Sequence, residues 1–309
     1  MKACIGNRQM LHNSLRYILA VAQAGSIRVA ANMLNVAQSA ISRQILNVEA
    51  DLGVALFERH ARGVSLTPAG EVFLRFARDT RGLSERVRSE IDALSGFRRG
   101  MVRIWAIDSV SQDVLPRAIL SFTADNPGIR FEVTVASTEE VVAAVQDVRA
   151  DIGVAFQPQL PAGVRASLRL RFPVHAFMST KHPLAKAESL ALVDALEFPI
   201  AVTPPGSGSR ILIEATALAA GAVLVPKFES NSIQLLANFA RSTSGITFLS
   251  RLCGAAGLKS GELAAVRLRD RLMSVARIEM LVLADRTLPA AAAQFHEHMA
   301  EALREAAKH

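Results

Sequence analysis

Residues 36–45 read VAQSAISRQI, and the polar side chains of this stretch fall beside an apolar stripe rather than within it. Plotted at 100° per residue, the apolar positions share one narrow arc and predict the buried face of a helix: Ile41, Ile45, Val48 and Leu52. The polar positions point away from that arc: Gln38, Ser39, Ser42 and Arg43. Their face is small, rich in hydrogen-bond donors and without an acidic residue before Glu49. Such a face is suited to a polyanion such as double-stranded DNA.

A second helix is predicted directly upstream, in AGSIRVAANMLNV at 24–36. Ser26 is a suitable N-cap, and the apolar positions that follow recur at helical spacing: Ile27, Ala30, Ala31 and Leu34. A turn at Asn35 and Val36 joins the two helices, which predicts a helix-turn-helix over about 27–46. In that arrangement the second helix enters the major groove, where Gln and Arg side chains read base edges and Ser side chains contact bases or phosphates. For any single residue the alternative is an ordinary solvated side chain.

A charged hairpin is predicted after this helix, in LGVALFERHARGVSLTPAG at 52–70. Two short strands, one at 56–57 and one at 64–66, enclose a turn at 61–63 that presents a basic cluster to phosphates: Arg59, His60 and Arg62. We expect His60 to contact solvent or phosphate rather than a metal, because no second ligand lies at a suitable spacing. Thr67 followed by Pro68 predicts the start of the next helix.

That next helix is predicted to run over 68–95 and to end at a glycine-bounded hinge, GFRRG, at 96–100. Its apolar residues approximate the spacing of three and four that is typical of helices paired in a coiled coil, and four of them are predicted to form a dimer interface: Phe73, Phe76, Leu83 and Val87. The alternative is that this stripe packs on its own domain. A helix that leaves a small domain has little of that core nearby, which favours pairing between two subunits.

The remainder of the chain alternates strand-like runs with helical stretches, which predicts α/β units with mainly parallel sheets. The predicted strands lie at 102–107, 129–135, 151–156, 198–202, 223–228 and 246–249. Ligands of open α/β sheets bind at the carboxyl ends of the strands, where this sequence places hydroxyl-bearing residues that we predict to contact a small molecule: Ser109, Ser137, Thr138, Thr203, Ser207 and Ser209. The loop GSGSR at 206–210 also opens a helix, whose free N–H groups favour an anionic ligand group such as a carboxylate. The alternative for each hydroxyl is a plain helix cap.

The length of the chain predicts more than one domain, and its net positive charge is concentrated in the N-terminal part. The 309 residues exceed the usual size of one domain, so at least two packed units are expected. The first hundred residues hold fourteen Lys and Arg against eight Asp and Glu, an excess of six, whereas the rest has an excess of one. This asymmetry points to a polyanionic partner for the N-terminal part.

Cellular location is inferred from the cysteines and from hydropathy. No apolar run reaches the ~20 residues needed to span a bilayer, and Arg16 interrupts the segment that would resemble a signal peptide, so we predict no membrane partner. The sequence contains two cysteines, Cys4 and Cys253, which indicates a reducing compartment. We therefore predict a cytoplasmic protein.

Catalytic motifs are missing from the sequence. It contains no G-x4-GK[ST] phosphate loop, no His or Cys metal spacing and no arrangement of an activated Ser or Cys, while His296 and His298 would point to different sides of a helix. We accordingly predict that the chain is not an enzyme and uses no cofactor or metal.

Residues 15–70 resemble the winged helix-turn-helix of the LysR-type transcriptional regulators, through the runs GSI-x2-AA-x2-L-x2-AQSAIS, E-x2-LG-x2-LFER and SLTPAG. The resemblance implies a DNA-binding domain at 10–67, and we add Ser26 and Arg28 to the predicted DNA contacts. One departure is Ala37, where the family usually has Ser, so an N-cap worth ~1 kcal/mol is missing or is supplied by another group.

The same resemblance implies that 101–309 is an effector-binding domain similar to the type 2 periplasmic-binding-protein fold, with two α/β subdomains that close on a small molecule. We predict the first subdomain at 101–163 and 268–309 and the second at 164–267, with chain crossings near 160–178 and 265–278. A homodimer or homotetramer bound to a partly palindromic operator is implied, with RNA polymerase as a further partner. The sequence therefore predicts a transcriptional regulator; an architectural DNA-binding protein, the alternative, would leave the second region without a role.

Overall fold

The structure is a computed structural model that describes residues 2–61, 63–94, 100–242, 244–254, 258 and 260–308. The chain forms two compact units, of which the first ends at Val87 and the second begins at Arg88. The expectation of at least two packed units is therefore confirmed.

Three helices form most of the first unit: α1 (Lys2–Ala24), α2 (Ile27–Leu34) and α3 (Gln38–Leu52). Helix α1 begins before the predicted domain start at 10 and packs against both α2 and α3. Their shared core is apolar and consists mainly of Ile18, Val21, Ala30, Ala31, Ile41, Ile45 and Leu56. Because alanine side chains are small, Ala30 and Ala31 let the neighbouring helices approach closely.

The predicted helix-turn-helix is confirmed in its elements. The Ser26 hydroxyl caps α2 by accepting a hydrogen bond from the N–H of Val29 at 3.5 Å. Asn35 ends α2 in the left-handed conformation, with φ of 53°. The predicted buried stripe of α3 ends at the half-buried Val48, because Leu52 at the end of the helix is exposed.

The predicted wing is an antiparallel hairpin of β1 (Phe57–His60) and β2 (Gly63–Leu66). Gly63 has a φ of +144°, and a β-carbon at this position would collide with the carbonyl oxygen of Gly25. The N–H of Val64 donates to that same oxygen at 2.9 Å, so the hairpin is anchored to the segment between α1 and α2. Arg62, predicted for the tip of the wing, lies outside the described residues.

Helix α4 (Pro68–Leu94) agrees with the predicted linker helix, and Thr67 caps it by accepting from the N–H of Gly70 at 2.9 Å. Phe73, predicted for the dimer interface, is half-buried and packs against the core of the first unit. The apolar side chains of α4 that are 45–58% exposed are Val72, Phe76, Leu83, Val87 and Ile91. Of the hinge predicted at 96–100, residues 96–99 lie outside the described residues, and Gly100 begins a strand.

The first sheet of the second unit has five strands in the order β4-β3-β5-β13-β6. Its strands are β3 (Gly100–Ala106), β4 (Ile129–Val135), β5 (Ile152–Phe156), β6 (Val164–Arg171) and β13 (Arg277–Leu283). The helices joined to this sheet are α5 (Asp108–Ser111), α6 (Val114–Asp125), α7 (Thr138–Gln146) and α12 (Ala290–Ala306). Helix α12 packs on α6 and β3, which confirms the predicted return of the last helix to the first subdomain.

The second sheet has six strands in the order β10-β9-β11-β7-β12-β8. Its strands are β7 (Val174–Ser179), β8 (Ser189–Leu190), β9 (Ile200–Val202), β10 (Phe228–Glu229), β11 (Ile246–Ser250) and β12 (Leu263–Leu268). Its helices are α8 (Leu192–Ala195), α9 (Gly208–Ala219), α10 (Ile233–Ser242) and α11 (Arg271–Ser274), and a 3₁₀ turn at Arg251–Gly254 follows β11. The two sheets and their helices form two α/β subdomains, as predicted.

The prediction of mainly parallel sheets is only partly correct. Strand β3 is parallel to β4 and β5, but β13 is antiparallel to both β5 and β6, and β7 is antiparallel to β11 and β12. The antiparallel pairings involve β6, β7, β12 and β13, none of which was predicted as a strand. The predicted strand at 223–228 is also wrong: Val223 and Val225 are exposed, and only the two-residue strand β10 begins at Phe228.

Both chain crossings fall inside their predicted ranges, but the subdomain boundaries differ. The first crossing lies between β6 and β7 and the second between β12 and β13. Because β6 pairs with β13 in the first sheet, the first subdomain extends to Arg171 rather than to 163. Helix α11 packs against α9 and β7, so the second subdomain extends past 268 to Ser274.

Candidate nucleic-acid interface and effector cleft

The outward face of α3 carries the predicted base-reading residues. Gln38, Ser39 and Arg43 are exposed, and Ser42 is half-buried beside them. On the opposite side Ile41 and Ile45 are buried in the core of the first unit. The helix is therefore held from behind, and its polar face is free to meet a polyanion.

Helix α3 is positioned by α1 and by the wing. The buried Ser14 of α1 donates from its hydroxyl to Oε1 of Gln44 at 2.8 Å. From the other side of α3, the carboxylate of Glu49 accepts from the N–H groups of Leu56 at 2.7 Å and Phe57 at 3.1 Å. These bonds fix the orientation of α3 relative to the hairpin. Sequence analysis gave Glu49 no structural role.

The start of α3 lacks a side-chain cap. Ala37 is the N-cap residue, with extended backbone at φ −66° and ψ 137°, and it makes no side-chain cap bond. The sequence left two alternatives, a missing N-cap or a cap supplied by another group. Ala37 itself forms no side-chain cap.

The other predicted DNA contacts have different surroundings. Arg28 and Arg59 are exposed, whereas the hydroxyl of Ser26 is engaged as the cap of α2. His60 lies 2.6 Å from the hydroxyl of Ser65 across the hairpin, through a ring nitrogen. The described part of the chain holds no group of three or more potential metal-binding side chains.

A cavity of about 600 Å³ lies between the two subdomains of the second unit. It brings together residues that are distant in sequence, from the ends of β3, β5 and β9 and from the starts of α7, α9 and α10. All six residues predicted to contact a small molecule line it: Ser109, Ser137, Thr138, Thr203, Ser207 and Ser209. A cavity of this size is in the range that accommodates a small organic molecule.

Three hydroxyls of the second subdomain form one network in this cavity. Ser207 donates to Thr203 Oγ1 at 2.6 Å, and Thr203 lies 2.8 Å from the hydroxyl of Ser209. Ser207 also caps α9 by accepting from the N–H of Arg210. The network prearranges hydroxyl groups on one wall of the cavity.

Two hydroxyls of the first subdomain have mainly structural partners. Ser137 forms a capping box with Glu140: its hydroxyl accepts from the N–H of Glu140, and its own N–H donates to that carboxylate at 2.9 Å. Two hydrogen bonds from Ser137, one from its backbone and one from its side chain, lower the pKa of Glu140. Thr138 is buried and exchanges hydrogen bonds with the backbone of Phe156. Ser137 therefore acts as a helix cap, as Ser207 does.

The cavity also contains residues that sequence analysis did not assign to it. Cys253, in the 3₁₀ turn after β11, lies 3.3 Å from the hydroxyl of Ser250. Burial raises the pKa of its thiol to about 11, and the charge of Asp108 acts in the same direction. Phe156, Phe248 and Ile233 supply apolar lining. Phe156 and Phe248 lie in strands that the sequence predicted, so their place near the cavity could have been inferred. Cys253 lies in a 3₁₀ turn, for which the sequence shows no local pattern.

Charge in the cavity does not support the anionic ligand predicted from the GSGSR loop. Among the described residues that line it, the charged ones are acidic: Asp108, Glu139 and Glu140. Arg210, at the start of α9, is buried and directed at two carboxylates, Glu214 at 2.6 Å and Glu229 at 2.7 Å.

No helix among the described residues is both long enough and apolar enough to cross a membrane.

Comparison with protein families assigns both parts of the chain. Residues 12–71 match the family model described as the bacterial regulatory helix-turn-helix protein, lysR family, and residues 95–304 match the LysR substrate binding domain. Among curated proteins, the transcriptional dual regulator GltC of Bacillus subtilis is 30% identical over 238 residues, which cover 76% of this chain and 79% of GltC. The HTH-type transcriptional regulator CbbR of Rhodospirillum rubrum is 31% identical over 232 residues, which cover 75% of this chain and 76% of CbbR.

Solved structures share the fold along nearly the whole length. A full-length OxyR variant from Pseudomonas aeruginosa has a TM-score of 0.69 at 20% identity, covering 95% of this chain and 94% of that one. Full-length CbnR in complex with its target DNA has a TM-score of 0.54 at 21% identity, and the match covers 94% of this chain and 99% of CbnR.

Proposed function

The chain belongs to the LysR family of transcriptional regulators, and from this premise we propose which of its residues read DNA and how its effector domain acts. It is a DNA-binding transcriptional regulator with a domain for a small-molecule effector. We assign base reading to Gln38 and Arg43 and contacts with bases or phosphates to Ser39 and Ser42. Arg28, Arg59, Arg62 and the backbone-capping Ser26 complete the proposed interface.

One observation carries this assignment: the polar face of α3 is exposed while its reverse side is buried. Arg43 is exposed, and Ile41 and Ile45 are buried in the core behind it. A helix with this arrangement presents donors at a fixed angle, so hydrogen bonds to base edges require little reordering of the backbone.

Regulation follows from the cavity between the two subdomains. An effector that binds one relative position of the subdomains more tightly than another shifts the population toward that position. We propose that the hydroxyl network of Thr203, Ser207 and Ser209 contacts the effector together with Ser109. Ser137 and Thr138 shape the opposite wall.

The assembly is proposed to be a homodimer or homotetramer that acts in the cytoplasm on double-stranded DNA, with RNA polymerase as a further partner. Exposed apolar side chains along α4 support pairing of two copies. We also propose that the chain catalyses no reaction. In support, the similar curated proteins GltC and CbbR are transcriptional regulators.

Arg43→Ala tests the base-reading role. An exposed arginine that reads a base contributes ~1–3 kcal/mol to binding of the specific site and much less to binding of random DNA. We expect fluorescence anisotropy with the protein's own operator and with scrambled DNA to show a selective loss of operator affinity. Arg75→Ala, which removes an exposed positive charge from α4, is the matched control. An equal loss on both DNAs would refute the base contact.

A further inference from the structure

Acidic residues supply the charge of the effector cleft, defined here as the cavity of about 600 Å³ between the two subdomains. Asp108 follows β3, and Glu139 and Glu140 lie in the first turn of α7. The described lining contains no Lys, Arg or His; Arg251, next in sequence to the lining residue Ser250, is exposed and does not line the cleft. A cleft lined by one sign of charge concentrates counter-ions and repels ions of its own sign.

Asp108 also occupies the start of helix α10, where an anionic group is favoured. Its Oδ2 accepts a hydrogen bond of 2.8 Å from the N–H of Ile233, the first residue of the ten-residue helix α10 in the opposite subdomain. Its Oδ1 accepts from Gln112 at 2.8 Å and from Ser111 at 3.2 Å. The N–H groups at the start of a helix attract anions, and here the protein supplies the anion itself. A ligand carboxylate at the start of α10 would have to displace Asp108.

The basic residue nearest to the hydroxyl network is neutralised by the protein. Arg210 donates to Glu214, to Glu229 and to the carbonyl oxygen of Thr203. Desolvation tends to lower the pKa of Arg210, but the hydrogen bonds to Glu229 and Glu214 outweigh it and raise the pKa. With two carboxylates on one guanidinium, this end of the cleft offers no net positive charge to a ligand.

The thiol at the inner wall of the cleft responds to the same negative field. Burial is the main reason that the pKa of Cys253 rises to about 11, and Asp108 adds to the rise. Hydrogen bonds from Ser137 lower the pKa of Glu140, and the charge of Arg149 acts in the same direction.

We propose that the effector is a cationic small molecule, bearing an ammonium or guanidinium group that pairs with Asp108. Asp108 is then the specificity-determining residue of the cleft. This inference rests on the proposed function, because it assigns a chemical class to the effector of the same cleft. It replaces the carboxylate effector that the GSGSR loop predicted.

Cys253 provides a reporter inside the cleft, and the full chain with Cys4→Ser leaves it as the single thiol. The probes are the trimethylammonium-ethyl and the sulfonato-ethyl methanethiosulfonates, which differ mainly in charge. Each labelling rate is divided by the rate of the same reagent with free N-acetylcysteine, which cancels intrinsic reactivity. We expect the cationic reagent to be favoured by at least about tenfold. Asp108→Asn should reduce this preference by about threefold to tenfold.

Asp125→Asn is the matched control, because it removes one exposed charge from the same subdomain outside the cleft and should leave the preference unchanged. A preference for the anionic reagent, or one that Asp108→Asn does not alter, would overturn the proposal. Failure of both reagents to label Cys253 would also overturn it, since the cleft would then be closed to small ions. Operator binding measured on the same samples separates this result from the proposed function: a chain that binds its operator but prefers the anionic reagent loses only the cationic effector.

Discussion

The carboxylate of Glu49 in α3 accepts the backbone N–H of Leu56 at 2.7 Å, and this bond joins the recognition helix to the start of the wing. The same oxygen accepts from Phe57 at 3.1 Å. Because two backbone donors meet one half-buried carboxylate, the angle between α3 and the hairpin depends on this side chain.

Glu49→Ala should destabilise the first unit by about 2 kcal/mol, because hydrogen bonds to charged groups contribute about 1.5–3 kcal/mol. It should also weaken operator binding, although Glu49 itself is not assigned a DNA contact. Thermal denaturation and anisotropy measure the two effects. Glu49→Gln retains an oxygen acceptor and should recover part of both, and Asp51→Ala removes the same charge from an exposed site on the same helix. Equal effects of Glu49→Ala and Asp51→Ala would show that charge, not the bond to the wing, is responsible.

Glu49 also shows where sequence analysis succeeds and where it stops. The helix-turn-helix and the wing were predicted because their signals are local: apolar spacing, a Ser26 cap and a turn between short strands. The partners of Glu49 lie seven and eight residues away, at the start of the wing, and no periodic pattern of the sequence reports this contact.

In the effector domain too, local features were predicted, whereas contacts between residues far apart in sequence were not. Strand ends were predicted well enough to gather six hydroxyl-bearing residues at one cavity. The bond between Asp108 and Ile233 joins residues 125 positions apart, and the cationic effector that we propose rests in part on it. Strand β6 was not predicted, because its alternating Arg and apolar residues form no continuous apolar run. Since β6 pairs with β13 in the first sheet, the boundary of the first subdomain was misplaced as well.

The pairing role of α4 can be tested with Phe76→Arg combined with Leu83→Arg. These side chains are 49% and 54% exposed in the single chain, and two buried arginines would repel each other across a two-fold axis. We expect sedimentation velocity to show the loss of at least one oligomerisation step. Glu71→Arg changes the net charge by the same two units at one exposed site on the other side of the helix from the stripe and should preserve assembly. An unchanged sedimentation coefficient for the first variant would refute pairing through this stripe.

His182 should make the second subdomain sensitive to acid. The imidazole is buried, its Nδ1 accepts from the N–H of Leu184 at 3.1 Å, and its Nε2–H donates to the carbonyl oxygen of Ser244 at 3.1 Å. Desolvation lowers its pKa, while the bond to Ser244 opposes that shift. Because the folded pKa lies below the ordinary value of about 6.5, the unfolded chain takes up the proton first as pH falls.

The stabilising contribution of His182 is therefore complete above pH ~6.5 and declines below it, down to the folded pKa. We expect the wild-type protein to melt at a higher temperature than His182→Gln at pH ~8, with a difference that narrows toward pH ~5.5. Melting curves of both proteins in matched buffers provide the measurement. A difference that stays constant over this range would rule out titration of His182 as its source.

Gly208, the first residue of α9, approaches the other subdomain so closely that a β-carbon there would lie 2.5 Å from the carbonyl oxygen of Phe156. Its backbone is not in a left-handed conformation, so the obstacle to Gly208→Ala is the steric contact with Phe156. The substitution should cost about 1–3 kcal/mol if the subdomains stay in place, and opening the cleft relieves that cost. We expect uncharged methyl methanethiosulfonate to label Cys253 faster in this variant. Gly206→Ala strains a left-handed residue, φ +87°, with no atom within 4 Å of the added carbon, and should not accelerate labelling. Equal rates in the two variants would mean that the contact between Gly208 and Phe156 does not set the opening of the cleft.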